Sequence, residues 1–336
     1  MRLKFLSAAT VLLLTIHCAA AEQIGGEKTF SFVALGDQPY NLPDDGIKFD
    51  RLIAAVNKLK PAFTLHVGDI KSARIPCSNE IFNQALAQLQ TFEGALVYTI
   101  GDNEWTDCHR KLAGGFDPRE RLAKLRQVFF ADPAQSLGKV PIKVTSQAQA
   151  MPAFSTYVEN VRFAKNDVLF ASVHVPGSNN GFEAQDPESA KEFFVRDKAN
   201  VAWIAGAFVE AEATSAKAVV LFMHADFDES RLANGAMPRQ SGFLQTLDAI
   251  EAGAKRFGKP VLLIHGDEHF LSLTPLRNSN GERMPNVLKL MVYGETLVHA
   301  VRVLVDPDSP GVFGFVPLIV PENGWLRANE STSLDR

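Results

Sequence analysis

The amino-acid sequence predicts an α/β fold, with two β-sheets packed face to face as a sandwich and flanked by helices. Three observations carry this expectation. The chain opens with alternating strand-like and helix-like segments, its second half is dense in strand-like runs, and its polar clusters fall where strands end. The opening alternation implies parallel strands joined by helical crossovers. The strand-rich second half calls for another sheet packed on the first, because a sheet with one apolar face must cover it.

In order along the chain, Thr29 to Leu35 reads as a buried strand, and Asp45 to Lys60 as a helix with Ile47, Phe49, Leu52, Ile53, Val56 and Leu59 at helical spacing. Phe63 to Val67 is a second strand. Ser78 caps a second helix reaching Phe92, with Ile81, Ala85 and Leu89 on one face. A strand from Ala95 to Ile100 and a helix from Pro118 to Phe130 follow. Gln147 to Val175 reads as a β-meander with strands near Phe154–Val161 and Val168–Val175. The remaining elements are a helix from Glu188 to Ala211, a strand Ala218–Met223, a helix Gly242–Phe257 and a strand Pro260–His265. The tail from Val287 to Val320 is strand-like throughout. No internal repeat or linker interrupts the chain, so residues 22–336 are expected to form one domain.

The N-terminus sets the expected compartment. Arg2 and Lys4 precede an apolar run from Phe5 to Ile16, and Ala19, Ala20 and Ala21 supply a small-residue cleavage site. This is the layout of a signal peptide over residues 1–21. The run is too short for a membrane span of about 20 apolar residues, and no later segment is long enough. A periplasmic or secreted protein without stable membrane insertion is expected. The net charge of −4 includes the leader's two cations, and no basic tract suggests a nucleic-acid partner. Of three cysteines, Cys18 leaves with the leader. Cys77 and Cys108 remain, and an even pair in an exported chain defaults to a disulfide.

The chemistry is concentrated at strand ends. Predicted strands run directly into Gly36-Asp37-Gln38-Pro39-Tyr40, Gly68-Asp69-Ile70-Lys71, Gly101-Asp102-Asn103-Glu104, Met223-His224-Ala225-Asp226 and His265-Gly266-Asp267-Glu268-His269. In open α/β sheets ligands bind outside the carboxyl ends of strands, so these clusters are expected to converge on one rim. There Asp37, Asp69, Asp102 and Asp267 would lie beside His224 and His269. Like charges packed so closely must protonate or be neutralised by a cation, and bound divalent metal supplies that charge.

Taken together, these motifs resemble the calcineurin-like metallophosphoesterases, including purple acid phosphatases and related phosphodiesterases. The family pattern runs D-x-H, G-D, G-N-H-E, a lone H, then G-H-x-H. Asp37 matches the first aspartate, Asp69 the second-motif aspartate that bridges two metals, His224 the lone histidine and His269 the last histidine. The resemblance covers about Phe30 to Pro275 and implies a helix-flanked sandwich with two divalent metals acting on a small phosphoester. It places Asp37, Asp69 and His269 on one metal, and Asp69, Asp102, His224 and Asp267 on the other.

The departures from the pattern are chemically specific. Pro39 stands where the first motif has histidine, leaving Tyr40 or Gln38 to fill its place. Asp102 replaces the asparagine ligand, and Asp267 replaces the first histidine of the last motif. The ligand set is therefore richer in oxygen, which favours manganese, iron or magnesium over zinc. Asn103 replaces the histidine thought to assist the leaving group, and can donate a hydrogen bond but not a proton. His109 and His174 are the candidates to compensate, the latter in Val173-His174-Val175-Pro176-Gly177-Ser178-Asn179-Asn180. Trp105 reads either as a stacking surface for substrate or as a cover for the disulfide. Lys71, Arg74 and Arg110 read as phosphate-facing or solvated charges. The function expected is metal-dependent phosphoester hydrolysis. The alternative is a metal- or phosphate-binding protein on the same fold that no longer turns over.

Overall fold

The computed structural model describes residues 26–228 and 231–324. The expected leader, residues 1–21, lies outside the described residues. Among the described residues, no helix is long and apolar enough to cross a membrane.

The first sheet carries β1 (Phe30–Leu35), β2 (Thr64–His66), β3 (Leu96–Tyr98), β11 (Ala300–Val305) and β12 (Phe313–Leu318), in the order β12-β11-β1-β2-β3. β1, β2 and β3 are parallel, and β11 runs antiparallel to β1. The crossovers are α1 (Asp44–Leu59) and α2 (Asn79–Leu89), with α3 (Pro118–Phe129) packed beside α2. Ser78 caps α2, its side chain accepting from the Ile81 amide.

The second sheet runs β4-β5-β6-β7-β8-β10-β9. Its strands are β4 (Thr145–Ser146), β5 (Val161–Lys165), β6 (Val168–Ser172), β7 (Ala218–Phe222), β8 (Val261–His265), β9 (Ser272–Arg277) and β10 (Arg283–Met291). The helices α4 (Pro187–Ala213) and α5 (Leu244–Phe257) cover its outer face. β6, β7, β8 and β10 are mutually parallel.

Period-two alternation divides the core. Phe32, Ala34, Leu65 and Val67 of the first sheet meet Phe170, Val220, Phe222, Leu262 and Ile264 of the second between the sheets. Val33 and Leu35 face outward to α1 and its neighbours, while Leu221 and Leu263 face Trp203, Phe208 and Ile250. The parallel registers put His66 beside both Leu35 and Tyr98, and Ile264 beside Phe222. The strands of each sheet therefore end level with one another.

Two stretches depart from the sequence expectation. The strand expected near Phe154–Val161 begins only at Val161, as β5; before it lie a helical turn (Gln147–Ala150) with a Ser146/Gln149 capping box and a further turn (Pro152–Phe154). Buried Asn160 anchors this stretch by donating to Gln147 and Asn200 at 2.8 and 2.9 Å. The hairpin is β5–β6, turned by Asn166 and Asp167, both at positive φ. The tail's strands also begin earlier than expected, because β9 is an edge strand whose Pro275 masks its strand character.

Cys77 and Cys108 are disulfide-bonded across a sequence separation of 31 residues, both fully buried. They tie the loop after β2 to the turn that follows Asp102. Replacing both with serine is expected to lower stability by about 3–4 kcal/mol, from the entropy of the closed loop. Urea unfolding of the oxidised protein and the double variant checks this, and an equal midpoint would show that packing alone holds the two loops.

Candidate metal centre

The level strand ends deliver the motif residues to one place. Asp37 follows β1, Asp69 follows β2 and Asp102 follows β3, while His224 follows β7 and Asp267 follows β8. Asp37, Asp69, Asp267 and His269 all adopt left-handed backbone, with φ of 55°, 57°, 82° and 67°. Such conformations cost of order 1–3 kcal/mol each in non-glycine residues and persist where the surroundings over-determine them. Gly68, at φ 100°, makes room here: a Cβ on it would sit 2.7 Å from the Gly101 nitrogen and 2.9 Å from His224 Nδ1.

Two groups of ligand atoms result, each within 4.8 Å. One is Asp37, Asp69 and His269, and the other is Asp69, Asp102 and His224. Asp69 belongs to both. His224 Nε2 lies 3.4 Å from Asp69 Oδ1, 3.2 Å from Asp102 Oδ1 and 3.6 Å from Asp267 Oδ1. Its Nδ1 donates to the Val67 carbonyl at 2.9 Å, which aims Nε2 at the carboxylates. Asp37 Oδ1 lies 3.6 Å from His269 Nε2 and accepts from the Asp267 amide at 3.0 Å. The six residues singled out from the sequence as metal ligands are thus neighbours.

Electrostatics tests whether metal fits. Asp37, Asp69 and Asp102 are buried. Burial pushes Asp37 upward and Asp69 well above the carboxylate range, and burial with the Asp102 charge pushes Asp267 up to about 8. Burial also works against Asp102, but hydrogen bonding and charge from His224, with the Ser178 hydroxyl, hold it at about 2. His224 is raised well above its ordinary value, because the Asp69 charge and Asp102 outweigh burial. Buried Asp37 Oδ2 has no hydrogen-bond partner, and His224 Nε2 faces only carboxylate oxygens. Desolvated carboxylates around orphaned ligand atoms are what a divalent cation would satisfy, so the residues fit the group.

Tyr40, not Gln38, occupies the space left by Pro39. Its hydroxyl donates to Asp69 Oδ2 and lies 3.3 Å from His269 Nε2, whereas the Gln38 amide turns away to the His299 carbonyl. Burial and the Asp69 charge hold the Tyr40 phenol well above its usual range, so it stays protonated. Asn103 Nδ2 donates to Tyr40 at 2.9 Å and to Asp69 Oδ2. The Asn103 amide is thus turned toward Tyr40 and Asp69, where it orients the Asp69 carboxylate.

His174 is not brought to the cluster. It is fully buried, with Nδ1 3.0 Å from Glu159 and its ring 4.5 Å from Trp105. Trp105 is packed between His174 and Arg196, donates to the Pro118 carbonyl, and shares a core cluster with Cys77 and Cys108. His109 is exposed, and its Nδ1 lies 2.6 Å from the Thr106 carbonyl. Lys71 is not a surface charge: it is 1% exposed and donates to the Asn103 carbonyl.

Other contributors carried weaker sequence signals. Glu104 Oε1 accepts from the amides of Asp69 and Gly101 and from Tyr98, locking the second and third motifs together. The Ser178 hydroxyl donates to Asp102 Oδ2 at 2.7 Å, from a left-handed turn. A Cβ on Gly177 would lie 2.7 Å from oxygens of both Asp102 and Asp267, so only glycine lets this turn close over them. Glu295, within the strand-like tail, lies 3.6 Å from His269 Nδ1.

No protein-family model matches the sequence, and no curated protein matches it significantly. Solved structures do. A dimetal phosphatase from Danio rerio is 11% identical with a TM-score of 0.53, covering 86% of this chain and 98% of that one. The chain adopts a calcineurin-like metallophosphoesterase fold. A purple acid phosphatase from yellow lupin seeds is 11% identical, TM-score 0.45, over 88% of this chain and 55% of its own. GAP50, an anchor in the inner membrane complex of Plasmodium, is 10% identical, TM-score 0.44, over 91% and 94%. The fold assignment rests on the dimetal phosphatase overlap.

The ion network behind His174 has a pH signature. Burial pushes Glu159 up, but the Arg126 guanidinium at 2.6 Å and the His174 contact outweigh it and hold Glu159 at about 2. A depressed carboxylate stabilises the fold above its unfolded value near 4.5, and that contribution is lost as pH falls toward 2. The expected contribution is about 3 kcal/mol. Stability measured from pH 5 to pH 2.5 should fall more steeply in the wild type than in Glu159→Gln. Parallel profiles would show that Glu159 titrates alike in both states.

Proposed function

We propose that this protein is a metal-dependent phosphoester hydrolase whose metals are two divalent ions sharing Asp69. The single observation behind this reading is the pair of ligand groups that meet at Asp69 on the metallophosphoesterase fold. Divalent ions held there would neutralise phosphoryl charge and lower the pKa of an attacking water. Asp37, Asp69 and His269 would hold one, and Asp69, Asp102, His224 and Asp267 the other. The oxygen-rich donor set favours manganese, iron or magnesium over zinc.

The chain's own residues orient this set. Val67 fixes the tautomer of His224, the Asp267 amide holds Asp37, and Asn103 with Tyr40 fixes the rotamer of Asp69. The substrate expected is a small phosphoester, in an exported setting consistent with the disulfide. Asn103, lacking a proton to deliver, favours the second reading: a metal-binding protein of the same fold without turnover.

Metal analysis after reconstitution with manganese or iron should find about two ions per chain, with hydrolysis of p-nitrophenyl phosphate. Asp69→Ala is expected to lose both ions and the activity. Asn103→Ala should weaken metal affinity about 10–100-fold, as removal of a ligand-orienting hydrogen bond does. Two ions bound without hydrolysis would establish the second reading, and no ion bound would end both.

A further inference from the structure

Beside the Asp102 side of the centre lies a cavity of about 400 Å³. Ser178 lines it while donating to Asp102 Oδ2, so cavity and candidate metal centre share a wall. Resting on the hydrolase reading above, we infer that this cavity receives the alcohol half of the phosphoester. The alcohol is an aminoalkyl one carrying positive charge, and His109 is the residue that protonates its leaving oxygen.

The volume suits a small organic group, falling within the range of ligand pockets. The charge follows from the ion pairs. The two arginines lining the cavity are already engaged, Arg110 with Asp107 at 2.6 Å and Arg119 with Asp117 at 2.9 Å. Asp186 caps α4 by accepting from the Glu188 and Ser189 amides, and Glu192 pairs with Arg196, but with Glu183 beside them the lining still carries more carboxylates than guanidinium groups. A cationic group is stabilised there, and a second anionic group is repelled.

His109 stands in the same lining. Its Nδ1 donates to the Thr106 carbonyl at 2.6 Å, so Nε2 is the nitrogen left to act. Asn103 is an amide with no acidic proton and is turned toward Tyr40 and Asp69, and His174 is sealed in the core. In the step, water oxygen bonds to phosphorus as the phosphorus–alcohol oxygen bond breaks, one water proton staying on the phosphate and the other passing to solvent. The departing oxygen takes the Nε2 proton and leaves as an uncharged hydroxyl on the cationic alcohol. Phosphate is the other product, and solvent reprotonates the imidazole.

The test compares p-nitrophenyl phosphate, phosphocholine, glycerol phosphate and phosphoglycerate on the metal-loaded protein, with choline binding followed by calorimetry. Phosphocholine is expected to exceed glycerol phosphate in kcat/KM by about 10-fold, with phosphoglycerate poorest. Glu183→Gln/Asp186→Asn should erase that preference and weaken choline binding. His109→Gln should lower kcat for phosphocholine about 10²–10⁴-fold and lower it far less for the nitrophenyl ester, whose leaving group needs no proton. Equal use of phosphocholine and glycerol phosphate would overturn the cationic assignment. An equal loss on both esters in His109→Gln would overturn the proton donor. If even the nitrophenyl ester is untouched with metal bound, the hydrolase reading fails. Saturable choline binding lost in the double variant then supports the subsite by itself, and its absence overturns it.

Discussion

Mutual repulsion among Asp37, Asp69, Asp102 and Asp267 is the constraint on which the rest of this structure depends. Aspartates desolvated this closely destabilise a fold unless cations and directed donors offset them. The protein supplies the donors itself. Backbone amides of Asn103, Asp226 and Asp267 each point at a carboxylate oxygen of the group, at 3.0, 3.1 and 3.0 Å. Peptide hydrogens cannot leave with a change of pH, and they fix the direction of each lone pair that remains. The charge itself they do not cancel, which leaves a defined place for metal.

Holding that arrangement takes the whole sandwich. The candidate ligands come from the ends of β1, β2, β3, β7 and β8, so both sheets must be in register and packed on each other for the groups to meet. The left-handed turns at Asp37, Asp69, Asp267 and His269 store strain that only a rigid core can retain. Buried cations stiffen the rim further. Lys289 on β10 reaches Asp226 at 2.8 Å, beneath the turn that carries His224. Lys71 grips the Asn103 carbonyl next to the disulfide. Losing one partner of the buried Lys289–Asp226 ion pair costs about 3–5 kcal/mol, so this contact makes the site and the fold interdependent.

What was legible in the sequence was whatever is periodic or local. Parallel strands, their helical crossovers, the Ser78 cap and the polar clusters at strand ends follow from patterns a few residues long. The cysteine pairing followed from compartment and parity. The turns of residues 147–160 were not legible, because their shape rests on Asn160 reaching Gln147 and Asn200 from distant elements. Side-chain direction was equally hidden. Lys71 and His174 look alike in sequence to solvated groups, yet one is buried by the Asn103 carbonyl and the other by Glu159 and Trp105. Gly294 and Glu295 were absorbed into a strand-like tail because nothing local marks their return to Asp37, where the Glu295 amide donates to the Asp37 carbonyl.

Two departures from the family pattern turn out to be one. Pro39 removes an imidazole from the first motif, and Asn103 removes another from the third; read singly, each is a loss. In the structure Tyr40 and Asn103 meet, and the three-way contact among Tyr40, Asn103 and Asp69 fills the space between the motifs. A tyrosine whose phenol is held protonated by burial donates to the shared carboxylate, and an uncharged amide supplies the second donor. Neutral donors replace groups that can carry positive charge, so less of the carboxylate charge is cancelled by protein. More of it is left for bound cations. The same exchange leaves position 103 without a proton to give, and on the Asp102 side a cavity lined by His109 shares Ser178 with the centre.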